Sequence, residues 1–325
     1  MRLTLVNLVA VTFAMLFSTA CRSNELSPVV KYDPVSEEVK LETTTGTLFG
    51  TLALPAAEGS FPVALIVAGS GPTDRNGNNP LGVNSNYLQM MADSLAQHGI
   101  ASLRYDKRGI AASQAAGSNE SELRFDHYVD DAVAWIEQLR EDERLTQVTV
   151  IGHSEGSLIG MLAAREAETT AFVSLAGAAQ PADSLILEQL QAQPAAMREE
   201  ATRILSELRQ GRTVATVSPS LQMLFRPSVQ PYLISWIQYH PSEIIAELTQ
   251  PVLIVQGTTD LQVPESEGKR LAEAQPKAEL VIIDGMNHVL KEAPADPVAN
   301  AATYADPTLP LAEGLMGAVL SFLSQ

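Results

Sequence analysis

Continuous apolar runs recur along this chain, separated by stretches with helical spacing. "FPVALIVAG", "GIASLRY", "QVTVIG", "AFVSLAG", "PVLIVQG" and "AELVIID" each lack the alternation of a half-exposed strand. Runs of that kind suit strands covered on both faces. Ahead of them, "EVKLET" and "TLFGTLAL" flank Thr44, Thr45 and Gly46, which predicts a hairpin and brings the strand total to about eight. Helical patterns lie between the runs. In 126–140, Val129, Val133, Ile136 and Leu139 share one face; Leu158, Leu162 and Ala163 do so further on; and Leu311, Leu315, Val319 and Phe322 are in register within 308–324. Strand and helix in alternation predict an α/β fold with a mostly parallel sheet flanked by helices.

One region departs from the alternation. From about 181 to 248 no buried strand is evident. Leu187, Leu190, Met197, Ile204, Leu205 and Leu208 predict one or two helices, followed by the aromatic, proline-broken "LFRPSVQPYLISWIQYHP". This reads as a helical cap inserted into a sheet domain spanning 37–325. Its aromatics Phe225, Tyr232, Trp236 and Tyr239 suit either an acyl pocket or the cap's own core.

The N-terminus changes the cellular picture. Arg2 precedes an uncharged apolar stretch from Leu3 to Phe17, and small residues then lead to Cys21, the only cysteine among 325 residues. That is short for a membrane span and has the layout of a signal peptide over 1–21, with an uncleaved anchor as a minor alternative. A lone cysteine after small residues resembles the lipidation site of a bacterial lipoprotein, although Ser18 stands where leucine is usual. Residues 22–36, polar with two prolines, read as a tether. The expected location is a bacterial cell envelope, periplasmic or anchored to the outer membrane through Cys21, with secretion as the alternative. A net charge of −17 argues against nucleic acid as a partner.

Candidate chemistry gathers where strands end. In "VTVIGHSEGSLIG", Ser154 lies between a strand and a helix, the context of a nucleophile elbow, with Gly152 and Gly156 relieving crowding in the turn. A serine hydroxyl needs a base. Of the five histidines, His98 reads as a surface residue at a helix end, His127 as structural, His240 lies in the cap, and His153 should point away from its neighbour's hydroxyl. His288 follows the last strand at the same sheet edge as Ser154. Asp260 follows the preceding strand there and can orient it. An oxyanion would take the backbone N–H of Glu155 and one from "VAGSGPTDRNGN", with Ser70 first and Gly71 next. The Glu155 side chain reads as a helix cap or, less readily, a substrate contact. In "RYDKRG", Asp106 and Arg108 read as a turn held by an ion pair. No His or Cys cluster has metal-ligand spacing, and no dinucleotide fingerprint follows a strand, so no cofactor is expected.

"GSGPTDRNGN", "RYDKRG", "GHSEGS", "GTTDLQVP" and "GMNHVLK", in that order, resemble the α/β-hydrolase superfamily. The similarity is to bacterial carboxylesterases with a "GSGPxDRDGN"-type loop, and to serine aminopeptidase-like and dienelactone-hydrolase-like relatives. It extends from about residue 38 to the C-terminus. Asn76 replaces the second acidic residue of that loop, and Ser157 replaces a second glycine after "GHSEG". The resemblance implies an eight-stranded α/β-hydrolase fold and cofactor-free cleavage of small carboxylic esters. Ser154, Asp260 and His288 would be its triad and a small-molecule ester its substrate. An aminopeptidase or thioesterase on the same triad is the alternative within the class. A lipid-anchored binding protein without catalysis is the alternative outside it.

Overall fold

The computed structural model describes residues 31–117 and 119–325. The predicted signal peptide, Cys21 and residues 22–30 of the predicted tether lie outside the described residues. Eight strands form one sheet in the order β1-β2-β4-β3-β5-β6-β7-β8. β1 (Pro34–Thr43) and β2 (Gly46–Pro55) make the hairpin, closing at Thr43 opposite Gly46. Strand β1 therefore takes in 34–36, three residues ahead of the boundary read at 37. β2 runs antiparallel to β4 (Ala101–Tyr105). From β4 onward every pairing is parallel: β3 (Phe61–Val67), β5 (Leu145–His153), β6 (Ala171–Leu175), β7 (Val252–Gly257) and β8 (Glu279–Ile283).

The apolar runs are explained by what covers each face. Along β3, Val63, Leu65 and Val67 enter one core cluster while Ala64, Ile66 and Ala68 enter the other. β7 divides likewise, Val252 and Ile254 against Leu253 and Val255. The first cluster is covered by α2 (Phe125–Glu141) and α3 (Glu155–Glu166), with Trp135, Ile136, Ile159 and Leu162 buried. The second is covered by α1 (Tyr87–Gln97) through Leu88, Met91 and Leu95, and by a helix at the C-terminus. Fully burying one such side chain stabilises by about 1.5–3 kcal/mol, so neither face can be left to solvent. The terminal helix covers Leu315–Leu323, less than the predicted 308–324. Gly314, at φ 87°, starts it late, and Leu311 lies outside it, bridged to Lys291.

The Leu187–Leu208 stretch forms two helices, α4 (Ala182–Gln189) and α5 (Ala195–Leu208), and the proline-broken stretch after it adds α6 (Gln222–Phe225), α7 (Gln230–Trp236) and α8 (Pro241–Glu247). Two prolines that read as breaks are helix starts. Pro231 and Pro241 sit in the first turns of α7 and α8, where a missing N–H costs nothing. The next helix, α9 (Glu265–Ala274), anchors the insertion's entry: buried Glu267 accepts the N–H groups of Ala179 and Gln180 at 2.8 and 3.0 Å.

Candidate active site

Ser154 sits where β5 hands over to α3, with φ 55° and ψ −121°. A non-glycine residue there is strained and must be held by its surroundings. Its N–H donates to the Leu175 carbonyl at 2.9 Å. A Cβ on Gly152 would stand 2.2 Å from the Gly156 carbonyl oxygen, and one on Gly156 would stand 2.3 Å from that of Val67. Backbone is thus packed against backbone on both sides of the serine, and no other residue type fits either position. Ser157, the departure from the double glycine, turns its hydroxyl to Ser174 at 2.7 Å inside the core.

Asp260 and His288 meet directly. The His288 Nδ1–H donates to Asp260 Oδ2 at 2.8 Å. Asp260 Oδ1 accepts the N–H groups of Gln262 and Val263 at 2.8 and 2.9 Å. Burial pushes the Asp260 carboxyl upward, but the His288 charge and hydrogen bond together with those two amides outweigh it, leaving the group below its ordinary value. An ionised Asp260 keeps the proton of neutral His288 on Nδ1, so its Nε2 has the lone pair.

His153 supplies the link between the two loops. Its ring lies 4.8 Å from the His288 ring, centroid to centroid, and its Nε2 is 2.7 Å from the His288 carbonyl oxygen. A carbonyl only accepts, so Nε2 carries the proton and Nδ1 is the acceptor. The Tyr87 hydroxyl donates to that Nδ1 at 3.1 Å. Burial, then the neighbouring His288 charge, depress His153 to about 3, which keeps it neutral; burial pushes the Tyr87 phenol up, which keeps it a donor. Among the described residues His288 bonds to Asp260 and, through its carbonyl, to His153; none of its bonds is to Ser154 Oγ.

The two predicted oxyanion amides lie beside Ser154 as well. A Cβ on Gly69 would be 3.2 Å from Ser154 Cβ, so the loop carrying Ser70 passes against the serine. Glu155 begins α3, where N–H groups lack intrahelical acceptors. Among the described residues neither Ser70 N–H nor Glu155 N–H has an acceptor. Gly71, the alternate donor, has φ 70° and is exposed.

The Glu155 side chain neither caps the helix nor faces outward. It is buried in an ion pair with Lys107 at 2.6 Å and accepts the Tyr232 hydroxyl from the cap. Asp106 and Arg108 hold the turn as expected, but with partners far along the chain: Asp106 accepts the Arg75 guanidinium and backbone N–H, and Arg108 is paired to Asp131. Asn76, at the position acidic in the resembled loop, accepts Arg104 Nε at 3.0 Å. Of the aromatic set, Trp236 stacks on Phe125 with an interplanar angle of 2°, while Tyr232 and Tyr239 tilt against the same ring. These residues join the cap to α2. Among the described residues no three His, Cys, Asp or Glu side chains group to hold a metal.

The sequence matches the family described as "Serine aminopeptidase, S33" over residues 81–227, a span containing Ser154 but neither Asp260 nor His288. It is 27% identical over 265 residues to Esterase EstD of Thermotoga maritima, covering 79% of this chain and 61% of that protein. Among solved structures, Est1E from Butyrivibrio proteoclasticus superposes with a TM-score of 0.59 at 17% identity, covering 89% of this chain and 99% of that one. The α/β hydrolase GrgF from Penicillium sp. sh18 gives 0.58 at 20% identity, covering 89% and 98%. The fold is that of the α/β-hydrolase superfamily. Within this fold, sequence reasoning set His153 aside and did not single out Lys107 or Asn287. The last is buried and bonded to Thr303 Oγ1 at 2.7 Å, fixing the backbone beside His288. The one available signal was polar residues directly adjoining Asp106, Ser154 and His288.

Proposed function

We propose that this protein is a serine hydrolase of carboxylic esters, acting through an acyl-enzyme. Ser154 Oγ attacks the ester carbonyl carbon as its proton passes to His288 Nε2. Asp260 holds the imidazolium. The carbonyl oxygen, now negative, is received by Ser70 N–H and Glu155 N–H. Collapse breaks the C–O bond to the alcohol, which leaves with the proton from Nε2. Water then repeats the sequence on the acyl group, releasing the acid and restoring Ser154.

The observation that carries this reading is the buried Asp260–His288 pair at the same sheet edge as a serine held in left-handed backbone. The similar protein of Thermotoga maritima being named an esterase supports the ester bond as the target. A short acyl group suits a cap whose aromatic faces are taken up in packing on Phe125. A nitrophenyl ester series of rising acyl length tests this on protein lacking residues 1–21. Turnover should be greatest at two to four carbons and absent in Ser154→Ala. Normal turnover by a folded Ser154→Ala protein removes the assignment.

The family description of the matched span favours a second reading, amide cleavage at an amino terminus. Amino-acid anilides and acyl thioesters assayed beside the esters separate the three. A protein that binds without catalysis would leave a fluorophosphonate probe unreacted. We further propose Cys21 as the site of lipid attachment to a cell-envelope membrane. Mass spectrometry of the mature N-terminus, with Cys21→Ser as control, tests that.

A further inference from the structure

The end of β4 sends one ammonium group into the interior. Lys107 is buried, and its Nζ lies 2.7 Å from the Gly69 carbonyl oxygen, 2.6 Å from Glu155 Oε2 and 4.8 Å from the centre of the Tyr128 ring. The other oxygen of Glu155 accepts the Tyr232 hydroxyl. Burial, reinforced by the Glu155 charge, pushes that phenol well above its ordinary range, so it stays a donor. The serine-hydrolase mechanism uses none of these side chains.

Their backbone connections are what give the cluster a task. In a trans peptide the C=O and the N–H point in opposite directions. The Gly69 carbonyl and the Ser70 N–H belong to one such unit, so an ammonium held against the oxygen sets where the amide hydrogen aims. Glu155 carries the second amide on its own backbone, and its carboxylate is held by the same ammonium. One cation thereby ties together both residues that would receive the oxyanion. It also neutralises a carboxylate that would otherwise repel developing negative charge. A buried ion pair is a poor stabiliser of a fold, since apolar side chains of like volume do as well or better. We propose that Lys107 is a positioning residue for the oxyanion-binding amides, with Glu155 and Tyr232 extending the same link to the cap.

This inference rests on the ester-hydrolase reading, and the experiment keeps the two apart. Wild type is first labelled with a fluorophosphonate; if it does not react, both fall. In a reactive protein, Lys107→Met is expected to lower kcat on a nitrophenyl ester about ten- to hundredfold. That is less than outright loss of an oxyanion donor, which costs about 10² to 10³. KM should move by no more than about threefold, because the ground-state carbonyl depends less on these amides. The affinity of an alkyl boronic acid, a tetrahedral mimic, should fall in parallel with kcat. The double variant Lys107→Met/Glu155→Met restores apolar packing and should recover the melting temperature without recovering kcat. It also serves if the single variant fails to fold. Tyr232→Phe, which removes one hydroxyl, should show a smaller loss in the same direction. A folded double variant with kcat and boronate affinity within about threefold of wild type overturns the proposal while leaving the ester reading standing.

Discussion

On one side of Ser154, Tyr87, His153, His288 and Asp260 are joined by hydrogen bonds in which every donor and acceptor is determined. On the other, Lys107, Glu155 and Tyr232 form an ion pair completed by a phenol. In the mechanism proposed above, the first group has a proton to move. The second has no proton to move; its charges cancel and hold backbone dipoles in place. Both are buried, yet their failures should differ. Damage to the first removes chemistry, whereas damage to the second misaims amides that are still present.

The largest effects should come from the first group. Ser154→Ala and His288→Ala should each lower ester turnover by about 10⁴-fold or more with the melting transition little changed, as activity and thermal scans of the same samples would reveal. Asp260→Asn should cost about 10² to 10⁴. An amide there can turn its NH₂ toward Nδ1, drawing the His288 proton to Nε2 and leaving no base. If turnover survives Asp260→Asn at wild-type level, the determined donor–acceptor order is not what makes this side work.

Between the two groups lies the elbow itself. Gly156→Ala forces a methyl to within 2.3 Å of the Val67 oxygen, which cannot yield without moving β3. Urea unfolding should register a loss of about 3 kcal/mol or more, with activity falling alongside.

A gentler probe is pH. His153 is held near 3 in the folded protein, against about 6.5 unfolded. The unfolded chain therefore binds more protons between those values, so stability rises with pH across that window and is lost on acidification. The slope should approach about 1.4 kcal/mol per pH unit. Asp260, also depressed, acts in the same direction, its contribution vanishing as pH falls through its folded value. Comparing wild type with His153→Phe isolates the histidine: the variant's unfolding free energy should be flatter from pH 6.5 down to 3. Smallest of all, Ser157→Gly trades one buried hydroxyl contact for a glycine in a helix, a change of about 1–2 kcal/mol with turnover unaltered.

The same contrast explains what was legible beforehand. Ser154, Asp260 and His288 each follow a strand that announces itself as an apolar run, so their shared edge could be read from order alone. Lys107 could not be read in this way. Its partners Gly69 and Glu155, and Tyr232 bonded to Glu155 in turn, come from three separate segments, and only packing brings them together. His153 was set aside because its side chain should leave Ser154. It does leave, and what it reaches is the carbonyl of His288. In the cap, prolines that punctuate a linear reading turn out to open helices, and Phe125, from outside the insertion, supplies the ring on which its aromatics settle.

β1 pairs along its whole length with β2 and stands at the rim of the sheet. Among the described residues no strand pairs with its far side, whose backbone groups are ones on which another chain could dock. Pro34, at the strand's first position, has no N–H to give, and Glu38, Lys40 and Glu42 stand exposed at alternate positions. On a molecule of net charge −17, two copies approaching rim to rim bring carboxylates together. That repulsion guards against runaway strand addition and aggregation, and it weakens once acid neutralises the glutamates.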